Sequence, residues 1–347
     1  MPRGEAHLDQ EEHRDDMPTD VNCVELARQG YLPAEINIDD RVVSFAKLAD
    51  YRFHQAWYSD TVDEIDSSRM YTVPFQSIIE QFANRRDDQH LRLIAHTSRC
   101  GSTLLANLLA LRPTTMVLKE PDFVTVPARQ IALTAGHWAD DQDSQSLLRA
   151  LLNYSCHAAD EAGRELVIKV TSWTVPVVAE ILRHRINTSW LFLWREPELV
   201  VASNLAAPST WGRDTANGRA ARSLAGAPAK DGDVEFYANT WRRIVDTFLS
   251  TGNDLHWRSV DYQDLASEKE TALLATERWF NIAPGAGLPN EFEQESQRYS
   301  KGSRADVFEP SRTHRRSALK PHEARQVTAI TNRALESLRA ERDHRLF

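Results

Sequence analysis

Short apolar segments recur along most of the chain, separated by longer stretches with the periodicity of helices. The clearest apolar segments cover residues 91–95, 115–118, 165–170 and 189–194, and a weaker one covers 255–260. Strands that are covered on both faces are almost continuously apolar, and strands that alternate with helices are joined by parallel crossovers. The pattern therefore predicts an α/β fold of the P-loop kind, in which a central, mostly parallel sheet is flanked by helices.

The same pattern divides the chain into segments. Residues 1–20 have the composition of a flexible acidic tail, residues 21–90 form a small N-terminal extension, and residues 91–347 form the α/β domain. Residues 206–233 are rich in Gly, Pro and Arg, which predicts a mobile insertion, either a lid over an acceptor site or a disordered loop. The predicted helices cover residues 103–111, 123–162, 175–184 and 198–205, with a further helix that ends at Trp279 and Phe280.

Charge is unevenly distributed along the chain. The net charge of −9 argues against nonspecific binding to nucleic acid. Residues 1–20 carry two basic and seven acidic side chains, a net −5, whereas residues 298–347 carry twelve basic and six acidic side chains, a net +6. A basic stretch of this kind is either a solvated helical face or the neighbourhood of an anionic ligand.

Targeting and redox features indicate a cytoplasmic protein. No apolar run reaches the ~18 residues that span a bilayer, so no membrane association is expected. The N-terminus is acidic and has no signal-peptide core. Cys23, Cys100 and Cys156 are scattered and odd in number, which argues against a disulfide framework and for a reducing compartment.

The loop after the first strand of the α/β domain is the first candidate site. Residues 96–103 (His-Thr-Ser-Arg-Cys-Gly-Ser-Thr) separate a predicted strand from a predicted helix. Such a loop presents backbone N–H groups and the positive end of the helix dipole, which together bind a phosphate or sulfate. Gly101 permits a close approach of the backbone, Ser102 and Thr103 add hydroxyl donors, and Arg99 adds a charged fork. An ordinary helix N-cap uses the same residue types, so the loop alone leaves both interpretations open.

The loop differs from a nucleoside-triphosphate P-loop. It lacks the first glycine and the lysine of the G-x-x-x-x-G-K-[ST] pattern. The fourth predicted strand of the domain runs into Trp194-Arg195-Glu196-Pro197 rather than into a magnesium-binding Asp. The His residues show no metal-ligand spacing, and residues 140–143 lack the Gly and the final Glu of a calcium loop. We therefore expect no metal and disfavour a kinase that uses ATP–Mg²⁺.

Two motifs resemble those of sulfotransferases that depend on PAPS (3′-phosphoadenosine-5′-phosphosulfate). Residues 99–105 (Arg-Cys-Gly-Ser-Thr-Leu-Leu) are similar to the loop of that family that binds the 5′-phosphosulfate, with Cys100 at a position that usually holds Ser. The family also has an Arg at the end of a later strand and a Ser eight positions further on, and both bind the 3′-phosphate. Arg195 and Ser203 match this spacing, and Ser203 would lie two turns into the helix that follows the strand.

Two further segments match the family in the expected order. Residues 260–265, which contain Tyr262, are similar to a Tyr-Glu-Asp-Leu segment whose Tyr lies near the adenine. Ser300-Lys301-Gly302 resembles, more loosely, a late Arg-Lys-Gly loop that closes on the 3′-phosphate. The resemblance covers roughly residues 91–305 and implies PAPS as a co-substrate, without a metal. The residues that it assigns to PAPS are Arg99, Cys100, Gly101, Ser102, Thr103, Leu104, Arg195, Ser203, Tyr262, Lys301 and Gly302.

Three catalytic side chains are expected: Arg99 and Glu120 from the resemblance, and Lys169 because it ends the third strand, where it would help to hold the sulfuryl group. Arg99 replaces the lysine found in the aryl and steroid branch of the family. It can stabilise charge on the oxygen that bridges the sulfuryl group and the phosphate of PAPS, but it cannot donate a proton. That branch takes its base from a His after the third strand, and residues 169–173 (Lys-Val-Thr-Ser-Trp) contain none. Other branches use a Glu about twenty residues beyond the phosphosulfate loop, and Glu120 stands 21 positions after Arg99.

Simpler roles remain open for two of these residues. Glu120 would otherwise form a strand-end salt bridge with Lys119 or Arg129, and Lys169 would otherwise form a surface ion pair. The expected activity is the transfer of a sulfuryl group to a hydroxyl or amine of a small-molecule acceptor. The alternatives are a kinase that uses ATP–Mg²⁺ and a noncatalytic protein that binds phosphoadenosine.

Overall fold

The computed structural model of the chain describes residues 22–53, 55–85, 89–134, 141–226, 233–251, 254–283, 287–297 and 319–347. Its strands are β1 (Tyr31–Asn37), β2 (Val42–Lys47), β3 (Tyr71–Pro74), β4 (Leu91–His96), β5 (Thr115–Lys119), β6 (Glu165–Lys169), β7 (Thr188–Trp194) and β8 (His256–Asp261). Its α-helices are α1 (Cys23–Arg28), α2 (Tyr58–Val62), α3 (Phe75–Phe82), α4 (Ser102–Ala110), α5 (Asp122–Leu133), α6 (Gln142–Glu161), α7 (Val175–Ile181), α8 (Pro197–Ala206), α9 (Ala216–Ala225), α10 (Asp233–Thr251), α11 (Tyr262–Ser267), α12 (Lys269–Trp279), α13 (Phe292–Gln297) and α14 (Pro321–Ala340).

Strands β4 to β8 form one parallel sheet in the order β5-β6-β4-β7-β8. Every residue of β4, β5 and β7 is buried, as expected for strands that have helices on both faces of the sheet. In the centre of the sheet, β4 pairs with β7 from Leu91 opposite Thr188 to His96 opposite Leu193. The prediction of an α/β fold with a central parallel sheet flanked by helices is confirmed.

The strand order determines where a ligand would bind. After β4 the chain crosses to β5 on one side of the sheet, whereas after β7 it continues to β8 on the other side. Ligands of open α/β sheets bind in the crevice outside the carboxyl ends of strands that diverge in this way. The expected binding position is therefore the crevice between His96, the last residue of β4, and Trp194, the last residue of β7.

The helical stretch predicted for residues 123–162 is divided into α5 and α6. The side chain of Asp141 accepts a hydrogen bond from the Ser144 N–H at 3.0 Å and so caps the start of α6. Residues 135–140, between the two helices, lie outside the described residues. Helix α10 was not predicted at all, and its nineteen residues pack against α8, α9 and α14.

The N-terminal extension is built around a small antiparallel sheet that packs on the α/β domain. Strands β1, β2 and β3 pair in chain order. The ring of Phe45 lies 4.8 Å from that of Tyr154 in α6, and the ring of Tyr58 lies 5.8 Å from that of Phe123 in α5. The described part of the extension therefore shares the core of the α/β domain and lies beside the segment that follows β5.

Much of the segment predicted as a mobile insertion is helical. Helix α9 covers Ala216–Ala225, and Trp211, a few residues before it, is buried against the rings of Phe236 and Tyr237. The Gly and Pro content indicated a loop because composition does not show that Trp211, Ala220 and Ala221 pack into the core. Residues 227–232 lie outside the described part of the chain.

The structure bears on three further predictions about the whole chain. No described helix has both the length and the apolar character needed to cross a membrane. Cys23, Cys100 and Cys156 are buried thiols. The basic C-terminal stretch is described from residue 319 onward, where α14 packs on α8 and α10 and Arg339 pairs with Glu196 at 2.6 Å. The acidic tail lies outside the described residues.

Candidate active site

The loop between β4 and α4 has a backbone that suits an anion. Gly101 is the N-cap of α4 with a φ of +79°, and it has no side chain with which to satisfy the N–H groups of the first turn. Those groups have no partner within a helix, so the first turn of α4 can donate to a ligand. Ser98 and Arg99 also have positive φ values, 68° and 52°, which cost energy in residues other than glycine. Strain of this kind is concentrated at ligand sites, and here it lies at the carboxyl edge of the sheet.

Gly101 also brings the loop into contact with the segment after β8. A Cβ atom at this position would lie 2.8 Å from Cδ2 of Leu265 and 3.3 Å from Cδ2 of Tyr262. Both residues belong to α11, which begins where β8 ends. Two of the predicted motifs, 161 positions apart at Gly101 and Tyr262, are therefore in close contact.

Arg195 lies between these two motifs. It directly follows β7, it is 4% exposed, and its Nη1 atom donates to the Arg99 carbonyl at 3.1 Å. Its guanidinium lies 4.4 Å from the centroid of the Tyr262 ring, a cation–π contact, and its own carbonyl accepts from Trp241 Nε1 at 2.9 Å. Within the described part of the chain, the buried Nε atom of Arg195 has no hydrogen-bond partner. A buried charged donor in this state is the kind of group that binds an anion.

The side chain of Arg99 contacts the end of α8. Its Nε atom donates to Asn204 Oδ1 at 3.4 Å, and its Nη2 atom donates to the Ala207 carbonyl. Asn204 is fully buried and donates in turn to the Val200 carbonyl at 3.0 Å, so its position is fixed within α8. Ser203, the predicted partner of the 3′-phosphate, is half-buried in the second turn of the same helix.

The other predicted PAPS residues divide into three groups. Cys100 is fully buried, and its thiol donates to the Leu193 carbonyl of β7 at 3.3 Å. Its side chain therefore contacts the sheet, and its backbone forms part of the loop. Ser102, Thr103 and Leu104 form the first turn of α4 and are almost completely buried. The structure does not describe residues 301–302, which were predicted to close on the 3′-phosphate.

Glu120 and Lys169 form an ion pair at the carboxyl edge. Glu120 follows β5 with a φ of +54°, and Lys169, the last residue of β6, donates from Nζ to Glu120 Oε1. The Glu120 N–H also donates to the Lys169 carbonyl at 2.6 Å. The Lys169 side chain is fully buried, so the alternative of a surface ion pair is wrong. The observed contact pairs Glu120 with Lys169, whereas the sequence pattern had suggested Lys119 or Arg129.

A second buried lysine lies beside this pair. Lys119 is opposite Lys169 in the β5–β6 register and donates from Nζ to Asn107 Oδ1 at 2.8 Å. Asn107 Nδ2 donates in turn to Glu295 Oε1 at 2.8 Å. Burial, and after it the charge of Lys169, lower the pKa of Lys119 to about 7. The edge of the sheet therefore holds two lysines whose charges are costly to bury together.

Two residues at this edge have no role in the motifs found in the sequence. His96 ends β4, at a position that the strand pattern marks, and its Nε2 atom lies 3.6 Å from Glu120 Oε1. Asn204 adjoins Ser203 and binds Arg99, but no motif includes it. A search of every position that directly follows or ends a predicted strand would have found His96; nothing in the sequence pairs Asn204 with Arg99.

Known proteins were compared with the chain and with its fold. No family model matches the chain, and no curated protein sequence does. Similar solved structures include the sulfotransferase domain from the curacin biosynthetic pathway, which is 16% identical in sequence and has a TM-score of 0.43. The match covers 70% of this chain and 98% of the curacin domain. The sulfotransferase domain of the Synechococcus PCC 7002 olefin synthase has 15% identity, 74% and 96% coverage and a TM-score of 0.41. Sulfotransferase STF1 from Mycobacterium tuberculosis H37Rv has 14% identity, 76% and 81% coverage and a TM-score of 0.43.

Proposed function

We propose that this protein is a sulfotransferase that moves a sulfuryl group from PAPS to a hydroxyl or amine acceptor. The observation that carries the proposal is the position of Arg195, a buried guanidinium between the anion loop and Tyr262. With the first turn of α4, it provides two anion subsites at one edge of the sheet. A donor that carries a phosphosulfate and a separate 3′-phosphate requires two such subsites.

The donor fits the residues that surround these subsites. Residues 99–104 would bind the phosphosulfate, chiefly through backbone N–H groups at the start of α4. Arg195 and Ser203 would bind the 3′-phosphate, Tyr262 would contact the adenine, and residues 301–302 would close over the donor. The unpartnered Nε of Arg195 supports this assignment, because a phosphate oxygen would satisfy it.

In the proposed transfer, an acceptor oxygen or nitrogen bonds to sulfur while the bond from sulfur to the bridging oxygen of the donor breaks. The acceptor proton moves to Glu120, and the electron pair of the broken bond stays on the phosphate oxygen of PAP, the 3′-phosphoadenosine-5′-phosphate that leaves. Positioning and electrostatic stabilisation supply most of the rate in such displacements. Arg99 would stabilise the leaving oxygen. To do so, its guanidinium would give up its contacts with Asn204 and Ala207 and bind the donor instead. Lys169 would orient Glu120 and attract the sulfuryl oxygens.

We propose that the acceptor is a small molecule. We also propose that the protein acts in the cytoplasm and has neither nucleic acid nor membrane partners. The acidic net charge of −9 supports the first exclusion, since phosphate backbones attract basic surfaces. The described part of the N-terminal extension packs on α5, which begins two residues after Glu120, through the contact of Tyr58 with Phe123. This extension is therefore the proposed wall of the acceptor pocket.

The proposal is tested by thermal unfolding in the presence of PAP or ATP, each with Mg²⁺ and with EDTA. A ligand at 100 times its Kd stabilises the folded state by about 2.7 kcal/mol, which is readily measured. We expect PAP to raise the melting temperature equally in both conditions and ATP to have a much weaker effect. Stabilisation by ATP–Mg²⁺ that EDTA abolishes, with none from PAP, would instead indicate a kinase.

A noncatalytic phosphoadenosine-binding protein would also be stabilised by PAP. Turnover separates this alternative from the proposed enzyme. We expect the protein to release PAP from PAPS slowly with water as the acceptor and faster with a hydroxyl-bearing acceptor found by screening. Tight binding of PAP without any release of PAP from PAPS, in water or with any acceptor of the screen, would favour the noncatalytic alternative.

A further inference from the structure

His96 connects the anion loop to the carboxylate that is proposed as the base. The side chain is 2% exposed and stands at the end of the central strand β4. Its Nδ1 atom accepts a hydrogen bond from the Ser98 N–H at 3.1 Å. Its Nε2 atom lies 3.6 Å from Glu120 Oε1. One imidazole ring therefore contacts both the strained part of the loop and the candidate base.

The contact to Ser98 determines which ring nitrogen carries the proton. A nitrogen that accepts a hydrogen bond from an amide has no hydrogen of its own, so a neutral His96 is protonated on Nε2. That N–H group is turned to Glu120. The distance of 3.6 Å is longer than a hydrogen bond, and catalytic hydrogen bonds are commonly long before the substrates bind.

The strand order explains why Glu120 needs a contact on β4. Glu120 follows β5, and β6 separates β5 from β4 in the sheet. Because neighbouring strands lie about 4.8 Å apart, the carboxylate must reach across roughly 10 Å to act beside the anion loop. Lys169 at the end of β6 contacts it halfway, and His96 at the end of β4 contacts it on the far side.

We propose that His96 is a positioning residue that aligns Glu120 with the sulfuryl group held by the anion loop. This inference rests on the proposed function, since it assigns a partner to the base of that reaction. The Ser98 N–H holds the ring in one orientation, and the ring's Nε2–H orients the carboxylate. His96 itself transfers no proton in this scheme, because Nδ1 is occupied by the Ser98 N–H throughout.

Two substitutions separate the two contacts of the ring. His96→Asn places an amide oxygen near the position of Nδ1 and keeps an acceptor for Ser98, but nothing reaches Glu120. His96→Gln places an amide nitrogen near the position of Nε2 and keeps a donor for Glu120, but loses the acceptor for Ser98. We expect His96→Asn to lower kcat for PAPS turnover by roughly 10- to 100-fold, with PAP affinity unchanged, as for a misplaced catalytic group. His96→Gln should retain more of kcat.

A double-mutant cycle shows whether His96 acts through Glu120. If it does, His96→Asn should have no further effect on kcat once Glu120→Gln is present. Equal losses of kcat in both backgrounds, or equal losses of kcat and PAP affinity in both His96 variants, would overturn the inference. Melting temperatures measured on the same samples identify losses that are due only to unfolding.

One measurement needs neither variant turnover nor an acceptor. The ¹⁵N chemical shifts of the wild-type imidazole, assigned by the signal that His96→Gln removes, report which nitrogen is protonated. We expect the Nε2-protonated form, with a shift that changes in Glu120→Gln; the Nδ1-protonated form would overturn the inference. If the wild-type protein neither binds PAP nor turns over PAPS, the sulfotransferase proposal fails, and the shifts still report the His96 contact independently.

Discussion

The two ends of the parallel sheet bury arginine in different ways. At the amino end of β5, Arg112 forms a bidentate pair with Glu277, at 2.6 and 3.1 Å, and donates to the Gly287 carbonyl at 2.7 Å. At the carboxyl end of β7, Arg195 donates to the Arg99 carbonyl and stacks on Tyr262, and its Nε has no partner among the described residues. Both side chains are about equally buried, at 6% and 4% exposure.

Backbone strain follows the same division. Of the five residues other than glycine with positive φ in the described part of the chain, three lie at the carboxyl edge: Ser98, Arg99 and Glu120. Such conformations cost about 1–3 kcal/mol each and persist where the surrounding structure imposes them. At the amino end, Arg112 thus uses its buried charge to join segments, and each of its three guanidinium nitrogens has a partner. The carboxyl end combines strain with incomplete pairing, as expected where a ligand completes the arrangement.

The largest expected effect concerns two carboxylates that each pair with a buried cation: Glu120, whose side chain is 15% exposed, and the buried Glu277. Glu120→Gln should slow PAPS turnover by about 10²- to 10⁴-fold, because an amide cannot take the proton from the hydroxyl or amine of the acceptor substrate. The affinity for PAP should not change. Glu120→Asp should retain part of the rate. Glu277→Gln is the matched control: it should lower the melting temperature and leave turnover per folded molecule unchanged. Normal kcat in Glu120→Gln would show that Glu120 is only the ion-pair partner of Lys169.

The next effect concerns stability at the amino end. Arg112→Ala leaves the carboxylate of Glu277, which is 1% exposed, without its counter-charge, and loss of one partner of a buried pair typically costs about 3–5 kcal/mol. Urea unfolding measures the loss, and PAP affinity of the folded protein should not change. If the variant does not fold, Glu277→Gln provides a milder version of the same test. An unchanged unfolding free energy would contradict a structural role for this pair.

Arg195→Ala should show the opposite behaviour at the carboxyl end. We expect PAP binding to weaken by about 1.5–3 kcal/mol, the usual range for a hydrogen bond to a charged group, with a smaller change in unfolding free energy than in Arg112→Ala. Calorimetry with PAP and with the analogue that lacks the 3′-phosphate measures the effect. The analogue should lose much less affinity; equal losses for both ligands would make Arg195 structural, like Arg112.

The smallest effect is a pH dependence at Lys119. Its pKa is about 7 in the folded protein and 10.5 without burial, so the unfolded chain binds more protons between these values. The destabilisation caused by the buried ammonium is therefore complete below pH 7 and diminishes as the pH rises toward 10.5. Lys119→Met should raise the melting temperature most near pH 6 and progressively less by pH 9. Lys47→Met, at an exposed lysine, is the control; a gain for Lys119→Met that does not vary with pH would contradict the lowered pKa.

Local sequence was sufficient for the parts of the site that depend on short segments. The apolar runs of β4 to β7 predicted a covered parallel sheet, because burial on both faces leaves little room for polar side chains. The loop before α4 and the position of Arg195 at the end of β7 followed from the same pattern. The eight positions from Arg195 to Ser203 also predicted correctly that Ser203 lies two turns into a helix, since helical periodicity is a local property.

Tertiary structure alone decided which of these segments meet, and with which partners. Glu120 pairs with Lys169, 49 positions away, because β6 lies between β5 and β4 in a sheet order that no local pattern contains. Arg99 meets Asn204 across 105 positions, and His96 lies 3.6 Å from Glu120, a residue with a positive φ. Strand order and left-handed turns at residues other than glycine are imposed by the packing of the whole chain, so the composition of each segment does not reveal them.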